Sequence, residues 1–204
     1  MESDGNAGIS IIGGTSNTIG VAFGDSGDSD IGRINYVHSD NTMRFINNAT
    51  EHMTISADGE VTKSLQPCFR IGSGTQDNVA VSTNVDAVFD NEIFDIGNNF
   101  GSNIFTAPIT GKYFFTVSFR LQNLDSASTY VQIVLVGSNR NTTLHTLKEI
   151  GHHLSADSEY SLTGTAILDM DANDTANVRI RIQAGTAQTD VSNDGSYFMG
   201  YLIS

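Results

Sequence analysis

Between Gly111 and Leu121 the chain reads GKYFFTVSFRL. Tyr113, Phe115, Val117, Phe119 and Leu121 fall at every second position, and Phe114, Thr116, Ser118 and Arg120 fill the positions between. Side chains of an extended segment alternate between two faces. A wholly apolar side of this length therefore predicts a strand lining a core. Val178, Ile180 and Ile182 alternate with Arg179, Arg181 and Gln183 in the same manner. The stretch from Tyr130 to Val136 differs, because Val131, Ile133 and Leu135 face one way while Val134 and Val136 face the other. This pattern predicts a strand covered on both faces, the second of them by another subunit. Segments from Tyr160 to Met170 and from Ser196 to Ile203 complete the set. Strands separated by turn signals at this spacing predict an all-β, two-sheet sandwich of jelly-roll type. Val, Ile and Thr fill 52 of 204 positions, which agrees with a sheet protein because branched side chains suit a pleated surface.

A boundary is expected near residues 62–68, where Pro67 can donate no ladder hydrogen bond and pushes Gln66 towards an extended conformation. Upstream of it, large apolar residues come in short groups: Ile9/Ile11, Ile19/Val21/Phe23, Ile34/Tyr36, Met43/Phe45 and Met53/Ile55. Gly13-Gly14, Gly24 to Asp30, Ser39 to Asn41, Asn47-Asn48 and Asp58-Gly59 separate them as turns, the last being a hairpin signal. Residues 1–64 read as a stalk of short strands and hairpins, and residues 65–204 as the jelly-roll head. The stalk has too little apolar mass to stand as a monomer, so its apolar residues are expected to meet identical ones on other copies. The alternative is that it adds strands to the head.

The charge balance narrows the partners. Ten basic residues face 23 acidic ones, a net charge of −13. Binding nucleic acid through its phosphates requires a basic footprint, and so does an anionic membrane surface. No apolar stretch approaches the length of a spanning helix, so no membrane insertion is expected. The first residues, Met-Glu-Ser-Asp-Gly, lack the basic and apolar regions of a secretory leader. The single cysteine, Cys68, excludes an intrachain disulfide and a cysteine-based zinc cluster.

Several motifs then occur in order. Phe105 is followed by Gly111, Tyr113 and Phe115. The segment from Asp174 to Val178 leads into a late strand, and Phe198, Gly200 and Leu202 close the chain. Residues 69–204 resemble the C1q-like domain through this series, although Val117 takes a position that is usually aromatic and Asn173-Asp174 replaces a Gly-Asp pair. The resemblance implies a ten-stranded jelly roll that assembles as a compact homotrimer and acts as a binding head, not an enzyme. Upstream, Gly32-Arg33-Ile34-Asn35-Tyr36, Asn41-Thr42-Met43-Arg44-Phe45, Glu51-His52-Met53-Thr54-Ile55 and Asp58-Gly59-Glu60-Val61 resemble a block of bacteriophage tail-fibre shafts. Together they imply a virion protein, a tail-fibre tip. Its partners would be itself, an upstream fibre or tail protein, and a host cell-surface polysaccharide or protein. Two alternatives accompany this reading: a structural virion decoration or fibre-capping trimerisation module, and a secreted, extracellular adhesin of the C1q/TNF kind.

Other candidates have plainer explanations. Asp169, Asp171, Asn173 and Asp174 place oxygens as calcium loops do, but an EF-hand would need Gly at Asp174 and Glu at Ile180. A looser calcium site competes with a solvated turn; otherwise no cofactor is expected. The Gly24 to Asp30 run occurs once, whereas Gly/Asp calcium repeats need stacked copies. His152 and His153, with His145 and Glu149 nearby, could hold a metal. Neighbouring strand residues point apart, so an exposed loop from Gly151 to Ser158 reads better, and it is the expected site of target contacts. No Gly-x-Ser-x-Gly elbow occurs. A glycoside-cleaving carboxylate pair is a minor alternative. Asn48-Ala49-Thr50 and Asn141-Thr142-Thr143 match the glycosylation sequon but read as turns.

Overall fold

Two compact units divide the chain, one ending at Leu65 and one spanning Gln66–Ser204, in a computed structural model that describes residues 8–204.

The first unit is a meander. Its strands β1 (Thr18–Phe23), β2 (Gly32–Val37), β3 (Thr42–Asn47), β4 (Thr50–Ile55) and β5 (Val61–Thr62) pair antiparallel in chain order. The register collects the apolar groups on one face. Ile19, Tyr36, Met43, Ile55 and Val61 form one cross-strand row, and Val21, Ile34, Phe45 and Met53 form the next. Asn35, Arg44 and Thr54 lie on the opposite face. The sheet is a single layer, and among the described residues up to Leu65 none is fully buried. Phe23 and Val61 are each 57% exposed. Ile9 and Ile11 form no strand, since nothing pairs with them before the turn at residues 15–16. The β3–β4 turn centres on Asn48 and Ala49, both with positive φ, 51° and 55°. A two-residue turn of this hand follows the twist of its strands, but only glycine enters that region without steric cost.

The second unit is a two-sheet sandwich. Its strands are β6 (Cys68–Ser73), β7 (Asn84–Asp86), β8 (Phe89–Ile96), β9 (Phe100–Gly101), β10 (Ile104–Thr106), β11 (Gly111–Leu124), β12 (Tyr130–Gly137), β13 (Asn141–Lys148), β14 (Ser158–Met170), β15 (Thr175–Gln183), β16 (Asp190–Val191) and β17 (Tyr197–Leu202). One sheet runs β14-β11-β17-β6-β8, with β16 on β11. The other runs β13-β12-β15-β10-β9, with β7 on β15. The jelly roll is thus twelve segments long where ten were expected, because two- and three-residue pieces such as β7, β9 and β16 add short ladders. A single helical turn, α1 (Ile150–His153), interrupts the strands. Among the described residues no helix is long and apolar enough to cross a membrane.

The core lies where the alternation of β11 places it. Tyr113, Phe115, Val117, Phe119 and Leu121 are buried and meet Val131, Ile133, Leu135, Val178, Ile180 and Ile182 in one contiguous cluster with residues of the other strands. Aromatic rings pack at its centre. Phe69 lies 4.9 Å from Phe105 and 5.0 Å from Phe198, and Phe115 lies 5.7 Å from Phe198. Gly200 stands between β11 and β6, in register with Phe115 and Phe69. A Cβ there would come within 2.6 Å of Phe115 and 2.9 Å of Phe69, so the rings occupy the space a side chain would need. Tyr113 is wholly buried and spends its hydroxyl on the carbonyl of Ile109 at 2.8 Å. Burial raises the pKa of that hydroxyl.

Three substitutions test this account. Gly200→Ala should destabilise the sandwich by about 1–3 kcal/mol in urea unfolding, the usual cost of overpacking. Gly101→Ala, where a Cβ meets nothing within 4 Å, should stay within about 0.5 kcal/mol of the parent. Ala49→Gly should stabilise the first unit by about 1 kcal/mol, by relieving the left-handed conformation.

Candidate functional site

The outward face of the β14-β11-β17-β6-β8 sheet is the main candidate. Because β11 turns its odd-numbered apolar residues inward, Phe114, Thr116 and Ser118 point away from the core. The register extends each of them across the sheet. Ile167, Phe114, Tyr201, Cys68 and Ile96 form one row; Thr165, Thr116, Met199, Arg70 and Phe94 form the next. Ile167 is 55% exposed, and Tyr201 and Phe94 are 43% exposed each. The rings of Phe114 and Tyr201 lie 5.3 Å apart, and the Arg70 guanidinium sits 4.8 Å over the ring of Tyr197. Scattered exposed apolar residues are ordinary, but rows of them across a rigid sheet mark an interaction surface. The Cys68 thiol in this face has its pKa raised, first by burial and then by the charge of Asp95, so it stays protonated.

The face ends in an ion cluster. Arg120 on β11 donates to Glu159 at 2.8 Å and to Asp194 at 2.6 Å. Gln122 adds a longer bond to Glu159. The hydrogen bonds from Arg120 hold the Glu159 carboxyl below the usual carboxylate range. Asp157 is lowered too, mainly by the backbone N–H of Ser126.

The sequence predicts a second covered face on β12, and within the single chain that face is only partly covered. Val134 and Val136 are half-buried, but their neighbours on that outward face are Arg179 and Asn177 on β15. The face is mainly polar, and the apolar one belongs to the other layer. Phe114 was the available signal: a large aromatic at an outward position of the most regular strand.

The histidines occupy a different setting from the one expected. His152 and His153 sit on the turn α1, not in an irregular loop, after Glu149 takes a left-handed conformation, and both are exposed. The Nδ1 of His152 lies 3.2 Å from Glu149. His145 is on β13, with its Nδ1 3.1 Å from the carbonyl of Thr163. The structure does not bring the three rings together. The acidic turn is likewise occupied by its own bonds. Asp169 accepts from Arg140 at 2.7 Å. Asp174 accepts from the N–H of Asp171 at 2.9 Å and from Asn139 at 2.8 Å, and Asn173 has a φ of 74°. Asp169 and Asp171 border a shallow cleft of about 260 Å³ with Lys112. Among the described residues no three acidic, cysteine or histidine side chains converge as metal ligands. In the first unit Asp25 closes its loop by accepting from the N–H groups of Gly27 and Asp28.

The signature residues fall inside the sandwich. Phe105, Tyr113, Phe115, Phe198, Gly200 and Leu202 are buried, and Gly111 opens β11. The buried ones build the scaffold, and Gly111 also borders the cleft beside Lys112. The model of a family described as "C1q domain" matches residues 69–203. Among solved structures, the globular domain of zebrafish complement 1qA protein is 16% identical, with 68% of this chain and 98% of that chain covered at a TM-score of 0.49. Murine APRIL, crystallised at pH 8.0, is 13% identical over 68% of this chain and 99% of that one, with a TM-score of 0.49.

The Glu159 cluster yields a pH prediction. A carboxyl held below its ordinary value of 4.5 adds stability that is complete above that value and is lost as pH falls through the lower folded value. The thermal midpoint should drop between about pH 5 and pH 3, and by less in Glu159→Gln than in the parent.

Proposed function

The chain belongs to the C1q family through residues 69–203, and from that membership we propose that it is a homotrimeric, non-catalytic adhesive module. The outward apolar face of the β14-β11-β17-β6-β8 sheet carries the proposal. Three copies that bury Ile167, Phe114, Tyr201 and Phe94 against one another remove from water the surface that a single copy leaves wet. Symmetric association also multiplies binding sites, so contacts that are weak singly hold a particle or cell firmly.

The setting we propose is a bacteriophage tail-fibre tip that attaches to a host cell surface, by polysaccharide or protein, and continues an upstream fibre or tail protein. The first unit supports it. A single-layer meander with apolar rows on one face suits a shaft in which identical sheets cover one another. The tail-fibre-like blocks from Gly32 to Val61 lie along β2 to β5 of that sheet. Family membership equally favours a secreted, extracellular adhesin, and the same trimer would serve as a structural decoration or cap.

Molar mass in solution tests the assembly. Light scattering at micromolar concentration should give about three times 21.8 kDa. The double variant Phe114→Asp/Tyr201→Asp should give a single-chain mass with its β-sheet circular dichroism intact. A parent protein that runs as one chain under these conditions sinks the proposal. Fluorescently labelled trimer should stain host cells, and the double variant should lose at least about a hundredfold in apparent affinity. Unstained cells would favour the decorative role.

A further inference from the structure

The other outward face of the sandwich differs in chemistry from the first. On β13, β12, β15 and β7 the register places Lys148, Tyr130 and Gln183 in one row. Thr146, Gln132, Arg181 and Asn84 form the second, and Thr143, Val134, Arg179 and Asp86 the third. These rows carry three cations and one carboxylate in a chain whose net charge is −13. Arg179 is neutralised by Asp86 at 2.8 Å. Arg181 has only neutral acceptors: Gln183 Oε1 at 2.8 Å from Nη2 and 3.3 Å from Nε, and Asn84 Oδ1 at 3.5 Å. Among the described residues no carboxylate pairs with Arg181 or Lys148. The neutral groups are also held in place, Gln132 on Thr146 at 3.2 Å and Gln183 on Ser82 at 3.3 Å.

We infer that this face, centred on Arg181 with Tyr130, Gln132, Gln183 and Lys148, binds a polysaccharide bearing carboxylate groups. The inference rests on the adhesive role and specifies its ligand chemistry. A guanidinium with N–H groups to spare and no charge partner is suited to a carboxylate, in a planar, two-bond geometry. Amide and hydroxyl side chains that both donate and accept suit sugar hydroxyls. The Tyr130 ring offers a flat apolar surface for the C–H face of a sugar. Two unneutralised cations are too few for a nucleic-acid backbone, and Tyr130 and Val134 are too little apolar mass in these rows for the centre of a protein interface. The face also lies on the layer opposite the apolar one, so association through the latter leaves it open, three times per assembly.

Binding of the full chain to immobilised polygalacturonate tests this, with dextran as neutral polymer and polyglutamate as a charged non-sugar. The parent should bind polygalacturonate and neither of the others. Arg181→Gln and Tyr130→Ala should each weaken binding by about tenfold or more, with molar mass and thermal midpoint unchanged. Arg140→Gln, which removes a cation from the acidic turn, should bind as the parent does. Three results each overturn the assignment: no binding to polygalacturonate, equal binding to polyglutamate, or parent-like binding by Arg181→Gln. Cell staining separates it from the broader role. Staining that survives Arg181→Gln leaves adhesion standing and removes this face from it. Polygalacturonate binding by a protein that stains no cells does the reverse.

Discussion

The contact between Gly200 and the rings of Phe69 and Phe115 governs the head. β17 lies between β11 and β6, and at Gly200 the absence of a side chain lets aromatic rings from both neighbours close over the strand. Phe198, two residues earlier, fills the adjoining space. Interiors packed to this density tolerate little change in volume. Once these rings are seated, the inward positions of β11, β12 and β15 are committed, and strict alternation then commits the outward positions as well. The core and the two outer faces are therefore one decision, expressed with opposite sign on successive residues.

That coupling explains how one sandwich carries two chemically different surfaces. On β11 and β17 the residues between core positions include Phe114, Met199 and Tyr201; on β15 they are Asn177, Arg179, Arg181 and Gln183. Neither set contributes to the interior, so each is free to answer to what lies outside. The apolar set is the one on which we place self-association and the polar set the one on which we place recognition, and the shared core lies between them.

The alternation was plain in the chain itself, from Tyr113 to Leu121 and from Val178 to Ile182, because period 2 with one apolar side has few other solutions. The signature positions were legible for a related reason: Phe105, Tyr113, Phe115, Phe198 and Gly200 all serve the same cluster. What escaped notice depends on register, which no single strand encodes. Phe114 shows in the sequence as a lone aromatic at an outward position and becomes part of a surface only beside Ile167 and Tyr201. Val134 and Val136 suggested a covered face, but their cross-strand neighbours are Arg179 and Asn177. His152 and His153 read as loop because a four-residue helical turn leaves no periodic trace.

The place of β17 has a further consequence. The first unit pairs each strand with the next, so its contacts are local and can form as soon as those residues leave the ribosome. The sheet of the head cannot do the same, because β6 and β11 are joined only through a strand made from nearly the last residues of the chain. Until Leu202 is synthesised, β6 and β8 have no ladder to β11, and Tyr201 is missing from the apolar row. The sheet therefore closes through the strand made furthest from β6 in sequence, and its outward row is complete only once that closure has occurred.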